Sequence, residues 1–396
     1  MKEIINRIKE MSSEYLGEIT EIRRHIHTHP ELGFEEVKTS EYIAAKLTEI
    51  GIPFTKGIAK TGIVALFKCN NPDKICIALR ADMDALPILE QNDINYKSVN
   101  DGVMHACGHD AHVACLLGAA KIIFNLKEQL HGTVKLIFQP SEEKFPGGAL
   151  AMINEGVLEN PKPDLIIGQH VLPTMNAGKM GVRAGKYMAS TDEIYLTVKG
   201  KGGHGATPEL NVDPIVIASH IIIALQQIVS RNARPDIPTV LSFGKIIGNG
   251  RTNIIPDIVT IDGTLRTFNE EWRAEAHLKI TKMTQSIAEA MGGSCDVIID
   301  KGYPFLVNDA DVTEHVFSNA KTFLGDDNVE ELPMRMTAED FAYFSQKIPA
   351  CFYRLGIRNE SKGIISNLHT NTFNIDEDAL ETGMGLMAWL AVSKMI

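Results

Sequence analysis

Ile75-Cys76-Ile77-Ala78-Leu79-Arg80 is an apolar run without alternation, bounded by Asp73-Lys74 and Asp82. A strand with one wet face alternates polar and apolar residues, so this run suits a strand buried on both faces. Residues 133–138 and 164–167 read the same way. Residues 111–124, between the first two runs, are long, apolar and alanine-rich, as expected of a buried helix. Strand, helix, strand in this order predicts an α/β layer with a mainly parallel sheet. Helices are predicted over residues 2–50, broken at His29-Pro30.

The pattern changes near residue 187. From there the order is strand (193–199), helix (214–231), strand (239–247), strand (257–266), helix (271–291), strand (295–300). This β-α-β-β-α-β order is ferredoxin-like. Val259, Ile261 and Gly263 alternate with Thr260, Asp262 and Thr264, the mark of a sheet with one covered and one wet face. After Tyr303-Pro304 the α/β style returns, with helices over 312–323 and 379–395 and a strand within 349–357. At 396 residues the chain is too long for one ordinary core. The expected organisation is a discontinuous first domain, residues 1–186 plus 301–396, with residues 187–300 inserted.

The net charge of −11, from 39 basic and 50 acidic residues, argues against nucleic acid or an anionic membrane as partner. The longest apolar runs, such as 215–225, are expected to be too short and interrupted to span a membrane. Six cysteines without a framework spacing read as reduced thiols. With no apolar stretch in Met1–Arg7, a cytoplasmic protein is expected.

Polar clusters fall where ligand sites of open α/β sheets lie, at the carboxyl ends of strands. Asp82-Met83-Asp84 follows the first run and Pro140-Ser141-Glu142-Glu143 follows the second. Gln169-His170 follows 164–167, Cys107 and His109 precede the apolar helix, and His369 lies in the polar loop 366–371. A thiolate, an imidazole and two adjacent carboxylates at the ends of core elements suggest a metal site with one carboxylate left to move protons. Cys69, Cys115, Cys295 and Cys351 read as small buried hydrophobes. Cys107, flanked by His105 and His109, reads as a ligand. His131, His220, His277 and His315 read as structural, and His112 as packing or hydrogen-bonding support. His25, His27 and His29 alternate, and i and i+2 do not share a helix face, so joint ligation is not expected. His29-Pro30-Glu31-Leu32 is expected to buttress the site.

Together these residues resemble the M20 metallopeptidase family, in its amidohydrolase branch of aminoacylase-like, hippurate hydrolase-like and plant auxin-conjugate hydrolase-like enzymes. The matching stretches, in family order, are Arg24–Leu32, Arg80-Ala81-Asp82-Met83-Asp84-Ala85-Leu86-Pro87, His105–His112, Pro140-Ser141-Glu142-Glu143, Gly200–Pro208 and Gly263-Thr264-Leu265-Arg266-Thr267. The resemblance implies a zinc-peptidase-like catalytic domain with an inserted dimerisation or lid domain. It implies two divalent metals, zinc, manganese or cobalt, held by Cys107, His109, Glu143, His170 and His369. Glu142 would be the general base and Asp84 a carboxylate supporting the metals. Many family members have His-x-Asp where this chain has Asp82-Met83-Asp84.

A homodimer through residues 187–300 is expected. Gly200–Pro208 reads either as a flexible hairpin with an incidental His204 or, by the resemblance, as a loop carrying His204 to a partner's oxyanion. Arg266 is either a clamp for a substrate carboxylate or half of an ordinary salt bridge. Asn253 is a further candidate substrate contact. The expected reaction is hydrolysis of the amide of an N-acyl amino acid, a small-molecule substrate. Alternatives are dipeptide hydrolysis, N-acetyl-diaminopimelate deacetylation, or a metal-binding scaffold dimer without activity.

Overall fold

All seven residues of the strand Cys76–Asp82 are buried, as are all seven of Thr133–Gln139. In the computed structural model, which describes Met1–Ile396, the two run parallel at the centre of an eight-stranded sheet. The strand order is Phe54–Ile58, Gly62–Lys68, Thr133–Gln139, Cys76–Asp82, Leu165–Asn176, Ala350–Arg358, Met180–Val182, Val329–Glu331. Leu165–Asn176 runs parallel to both of its neighbours. The sheet is thus mainly parallel at its core, with antiparallel pairs toward the edges. Helices Lys2–Thr28, His109–Leu126 and Ala379–Met395 pack against one another. The last two are buried along most of their length, which explains why their sequences are apolar all round.

This first unit comprises Met1–Tyr187, Val307–Met334 and Asp340–Ile396. The second comprises Met188–Leu306 and Arg335–Glu339. The short segment Arg335–Glu339 groups with the second unit because the Ala189 N–H donates to the carbonyls of Arg335 and Thr337, both at 3.1 Å.

The second unit is a four-stranded antiparallel sheet, ordered Thr239–Ile247, Ile258–Thr267, Asp192–Lys199, Ser294–Lys301. Ile194, Leu196 and Val198 alternate along one strand, and Val259, Ile261 and Leu265 along its neighbour. All six pack in one core with Ile217, Ile221 and Leu225 of the helix Pro214–Gln227 and Ala276 and Ile280 of the helix Glu270–Ala290. Asp213 and Asn269 cap the two helices through their side-chain oxygens.

Two expectations need correction. The apolar run 215–225, expected to be too short to span a membrane, lies in the helix Pro214–Gln227, which runs on as a π-turn over Ile228–Asn232, close to the 214–231 expected as helical. The resulting 19-residue stretch is long and apolar enough, by length and composition, to cross a membrane, and 33% of its apolar window is buried. The strand expected at 164–167 runs from Leu165 to Asn176, so Gln169 and His170 lie within it rather than after it. It continues because Ala350–Arg358 goes on pairing with it, with Arg354 opposite His170, after its pairing with Cys76–Asp82 has ended at Gly168.

Candidate metal centre

His109 is the first residue of its helix rather than a residue before it, and Gly108 precedes it at φ +83°. Glycine adopts this left-handed conformation readily. A Cβ there would also sit 2.6 Å from Val171 Cγ2. This turn brings Cys107 and His109 to the sheet end where Asp82, Asp84, Glu142 and Glu143 emerge. His369 joins from the loop before Ala379–Met395, its N–H donating to Ala106 O at 2.8 Å. Glu31 and Leu32 do reach this region: Leu32 pairs with Ala85, and the Ala85 N–H donates to Glu31 O at 2.8 Å.

Donor atoms of Cys107, His109 and His170 lie within 4.8 Å of one another. So do those of Cys107, Glu143 and His369, and those of His109, Glu142 and Glu143. Cys107 Sγ is 3.4 Å from His170 Nε2, and His369 Nε2 is 3.1 Å from Glu143 Oε1. The five residues expected as ligands are therefore together, with Cys107 common to two donor groups.

Hydrogen bonding fixes which ring nitrogens remain for a cation. His170 Nδ1 donates to Val171 O at 2.8 Å, so Nε2 presents a lone pair. His109 Nδ1 is 3.1 Å from Asp84 Oδ1, while its buried Nε2 has no hydrogen-bond partner. A buried unpartnered nitrogen is costly unless something binds it. Asp84 uses its other oxygen to accept the Glu143 N–H at 2.9 Å. One carboxylate thus orients both candidate ligands, as carboxylates behind metal-binding histidines do. His112 is different: Nδ1 is 2.5 Å from Asp82 Oδ1 and Nε2 accepts the Val171 N–H at 2.9 Å. Both its nitrogens are committed, so it supports rather than ligates. Asp82 is likewise committed, to His112 and to Arg80 Nη1 at 2.6 Å.

The electrostatics describe a place that wants positive charge. Burial, and then Glu143, Glu142 and Asp82, push the Cys107 thiol well above its usual range. Burial opposes charge on His109, but Asp82, Asp84 and Glu143 outweigh it and raise its pKa to about 10. Burial and Arg354 hold His170 well below the usual histidine range, keeping it neutral as ligation requires. A cation among these donors relieves the crowded negative charge. The donor set therefore fits divalent metal.

Several supporting residues escaped the sequence. Arg80 Nη2 donates to Asp340 Oδ1 at 2.8 Å, and Gln139 Nε2 donates to both Asp340 oxygens. The Asp340 N–H in turn reaches Glu142 Oε1 at 3.3 Å. The one signal was Arg80 itself, a guanidinium in a buried strand that needs a counter-charge. His27 is buried between Asp110 Oδ2 at 2.8 Å and Glu90 Oε1 at 3.2 Å, while the rings of His25 and His29 lie tilted against each other with centroids 4.6 Å apart.

His204, Asn253 and Arg266 stand on the second unit. His204 pairs with Ile254 in a two-stranded ladder, and the Gly205 N–H donates to Asn253 O at 3.0 Å, so these two candidates are neighbours. His204 Nδ1 accepts the Ala206 N–H at 3.0 Å, which leaves Nε2 as the protonated, donating nitrogen of the neutral ring. Arg266 Nε donates to Thr264 Oγ1 at 3.2 Å, and burial lowers its pKa against the opposing pull of Asp192 and Glu193.

Two donor groups sharing Cys107, with a further carboxylate beside them, are the arrangement expected of a metal-dependent hydrolase. The profile of peptidase family M20/M25/M40 matches residues 78–392, and the chain belongs to that family. It is similar to thermostable carboxypeptidase 2 of Saccharolobus solfataricus, with 39% identity over 98% of each chain. It is also similar to the N-acyl-L-amino acid amidohydrolase of Geobacillus stearothermophilus, with 40% identity over 76% of this chain and 80% of that one. Among solved structures it resembles the YXEP protein of Bacillus subtilis, a dinuclear metal binding peptidase of the M20 family. There the TM-score is 0.80 and the identity 33%, over 97% of this chain and 99% of that one. The chain is accordingly a metal-dependent amidohydrolase acting on a small molecule.

Proposed function

We propose that the chain hydrolyses the amide bond of N-acyl amino acids, releasing a carboxylate and a free amino acid. Cys107, His109, Glu143, His170 and His369 would hold two divalent cations. A thiolate with imidazoles and carboxylates suits zinc, and the nitrogen and oxygen donors also accept manganese or cobalt. Such cations lower the pKa of bound water to about 7 and polarise a carbonyl oxygen.

Glu142 carries the reading. It lies beside His109 and Glu143, buried, in a site that already has five other donors. Glu142 takes the proton of the attacking water and returns it to the departing amine. The Asp340 N–H orients its carboxylate. Arg266, partly buried and held through Nε by Thr264, suits the carboxylate of the amino-acid half. Asn253 lies beside His204 as a second substrate contact. His204, with its donating Nε2, suits the oxyanion of a partner subunit's substrate.

A homodimer through the second unit is part of the proposal. Ile223 of the helix Pro214–Gln227 is 72% exposed, and Ile246 of the edge strand Thr239–Ile247 is 52% exposed. An open strand edge and an exposed apolar side chain on a helix are features that favour self-association. Sedimentation should show a dimer that Ile223→Glu disrupts; full activity in the monomer would contradict the role of His204.

The decisive test is metal analysis with assays of amino-acid release from N-acetyl-methionine, hippurate and a dipeptide panel, under zinc, manganese and cobalt in parallel. Dipeptides belong in the panel because the Saccharolobus relative is named a carboxypeptidase. N-acyl amino acids should be cleaved fastest, and Glu142→Gln should keep metal while losing about 10²–10⁴-fold in turnover. Cleavage of dipeptides alone, or comparable turnover in Glu142→Gln, refutes the reading.

A further inference from the structure

We propose that Glu36 is a positioning residue that holds Ser141 in a left-handed backbone conformation and thereby aims the Glu142-Glu143 pair. The inference rests on the roles proposed for those two residues, but its geometry does not.

Ser141 has φ +50°, a region that residues with a Cβ rarely occupy. It is the residue at which the chain, leaving the strand Thr133–Gln139 through Pro140, turns so that Glu142 meets the Asp340 N–H and Glu143 meets Asp84. Rotation at Ser141 swings both carboxylates together.

Such a conformation persists only where its surroundings over-determine it. Three contacts do so here. Glu36 Oε1 accepts the Ser141 N–H at 2.8 Å. Ser141 O accepts the Gly148 N–H at 2.8 Å. Gly33 packs so closely that a Cβ there would lie 2.6 Å from Ser141 Oγ and 3.2 Å from its Cα.

Glu36 is the contact that ordinary packing does not explain. It occupies the N-cap of the helix Val37–Ile50, yet its side chain makes no capping hydrogen bond to that helix. It is turned inward and fully buried. Thr61 Oγ1 donates to Oε2 at 2.6 Å and fixes the carboxylate, leaving Oε1 aimed at Ser141. Burial and nearby Asp84 raise its pKa to about 6, so an acid at this position is held against an electrostatic cost.

The experiment compares wild type, Glu36→Ala, Glu36→Gln, Ser141→Gly and Glu36→Ala/Ser141→Gly. It reads kcat and KM on whichever panel substrate wild type cleaves, metal content, and the φ of Ser141 in metal-free crystals. Glu36→Ala should release Ser141 from positive φ and lower kcat on the order of 10²-fold, the loss expected for a misplaced catalytic group, with KM changed less than about 3-fold. Glycine adopts positive φ without a clamp, so adding Ser141→Gly should recover about tenfold of that loss. Glu36→Gln keeps an acceptor for the Ser141 N–H and should stay within about 5-fold of wild type.

Positive φ retained at Ser141 in Glu36→Ala, or a loss that Ser141→Gly fails to recover, overturns the proposal. Should Glu36→Ala not fold, Thr61→Val loosens the same carboxylate. A few-fold fall in kcat that Ser141→Gly restores supports the clamp, and any other result overturns it. A wild type inactive on the whole panel, with Ser141 released in Glu36→Ala crystals, sinks the proposed function and leaves the clamp standing.

Discussion

Arg273→Met tests what closes the base of the second unit. The Gly302 N–H donates to Thr191 O at 3.0 Å, where the two ends of this unit's main segment meet. Arg273 adds 2.9 Å hydrogen bonds to both Thr191 O and Gly302 O. It also donates to Asp192 Oδ1 at 2.6 Å and Oδ2 at 2.9 Å. Both side chains are buried, Asp192 at 0% and Arg273 at 1% exposure. Methionine keeps most of the stem and removes every donor. Asp192 then retains His277, at 2.8 Å, as its one side-chain partner. Stranding one member of a buried ion pair costs about 3–5 kcal/mol. The Gly302 carbonyl adds about 1 kcal/mol for its lost donor. The expected loss is therefore about 4–6 kcal/mol. The chain has two tryptophans, Trp272 in this unit and Trp389 in the other. In a Trp389→Phe background, denaturant unfolding followed by fluorescence reports the second unit alone. Asp192→Asn/Arg273→Met should recover at least about 2 kcal/mol relative to the sum of the single changes, because no buried charge is left stranded. A loss under about 1 kcal/mol, or additive losses in the double variant, would refute the account.

Asp192 also sets an acid limit for the same unit. Burial raises its pKa, but His277 and Arg273 outweigh burial and hold it below the unfolded value. Its stabilisation is thus complete above the unfolded carboxylate range and lost as pH falls through the folded pKa. The Trp272 transition should weaken in strong acid in wild type and stay flatter in Asp192→Asn; parallel curves would contradict this. Gly148→Ala places a Cβ 1.8 Å from Pro140 O, so the turn before Glu142 must move. Circular dichroism should be unchanged while kcat falls about 10²-fold, and wild-type kcat would show that the turn is not needed in its present form. Adding zinc or manganese to metal-stripped protein should raise Tm, by an amount equivalent to about 2.7 kcal/mol at a hundred-fold excess over Kd. Glu143→Ala should blunt that rise, and an undiminished rise would remove Glu143 from the ligand set.

The central strands were legible because both their faces are buried, so their sequences do not alternate polar with apolar residues; Arg80 and Lys135 are the charged exceptions, each with hydrogen-bond acceptors inside the protein. The second unit was legible from alternation such as Val259 and Ile261 against Thr260 and Asp262, which only a one-faced sheet imposes. What escaped was information that spacing does not encode. Asp340 answers Arg80 from 260 residues away, and Glu36 answers Ser141 from 105. Neither pairing leaves a periodic trace. His112 was expected as packing or hydrogen-bonding support, and the Val171 N–H on its second nitrogen is the partner that spacing could not name. The strand end at 167 was misjudged because the partner that prolongs it, Ala350–Arg358, lies far down the chain.

Asp84 divides its oxygens between His109 and the Glu143 amide. A substitution at that one position disturbs two candidate ligands at once, so neither can be repositioned from behind without the other. His369, on a loop and with its side chain 53% exposed, is under no such shared control. A change of side chain in that loop leaves both contacts of the aspartate, to His109 and to the Glu143 amide, untouched.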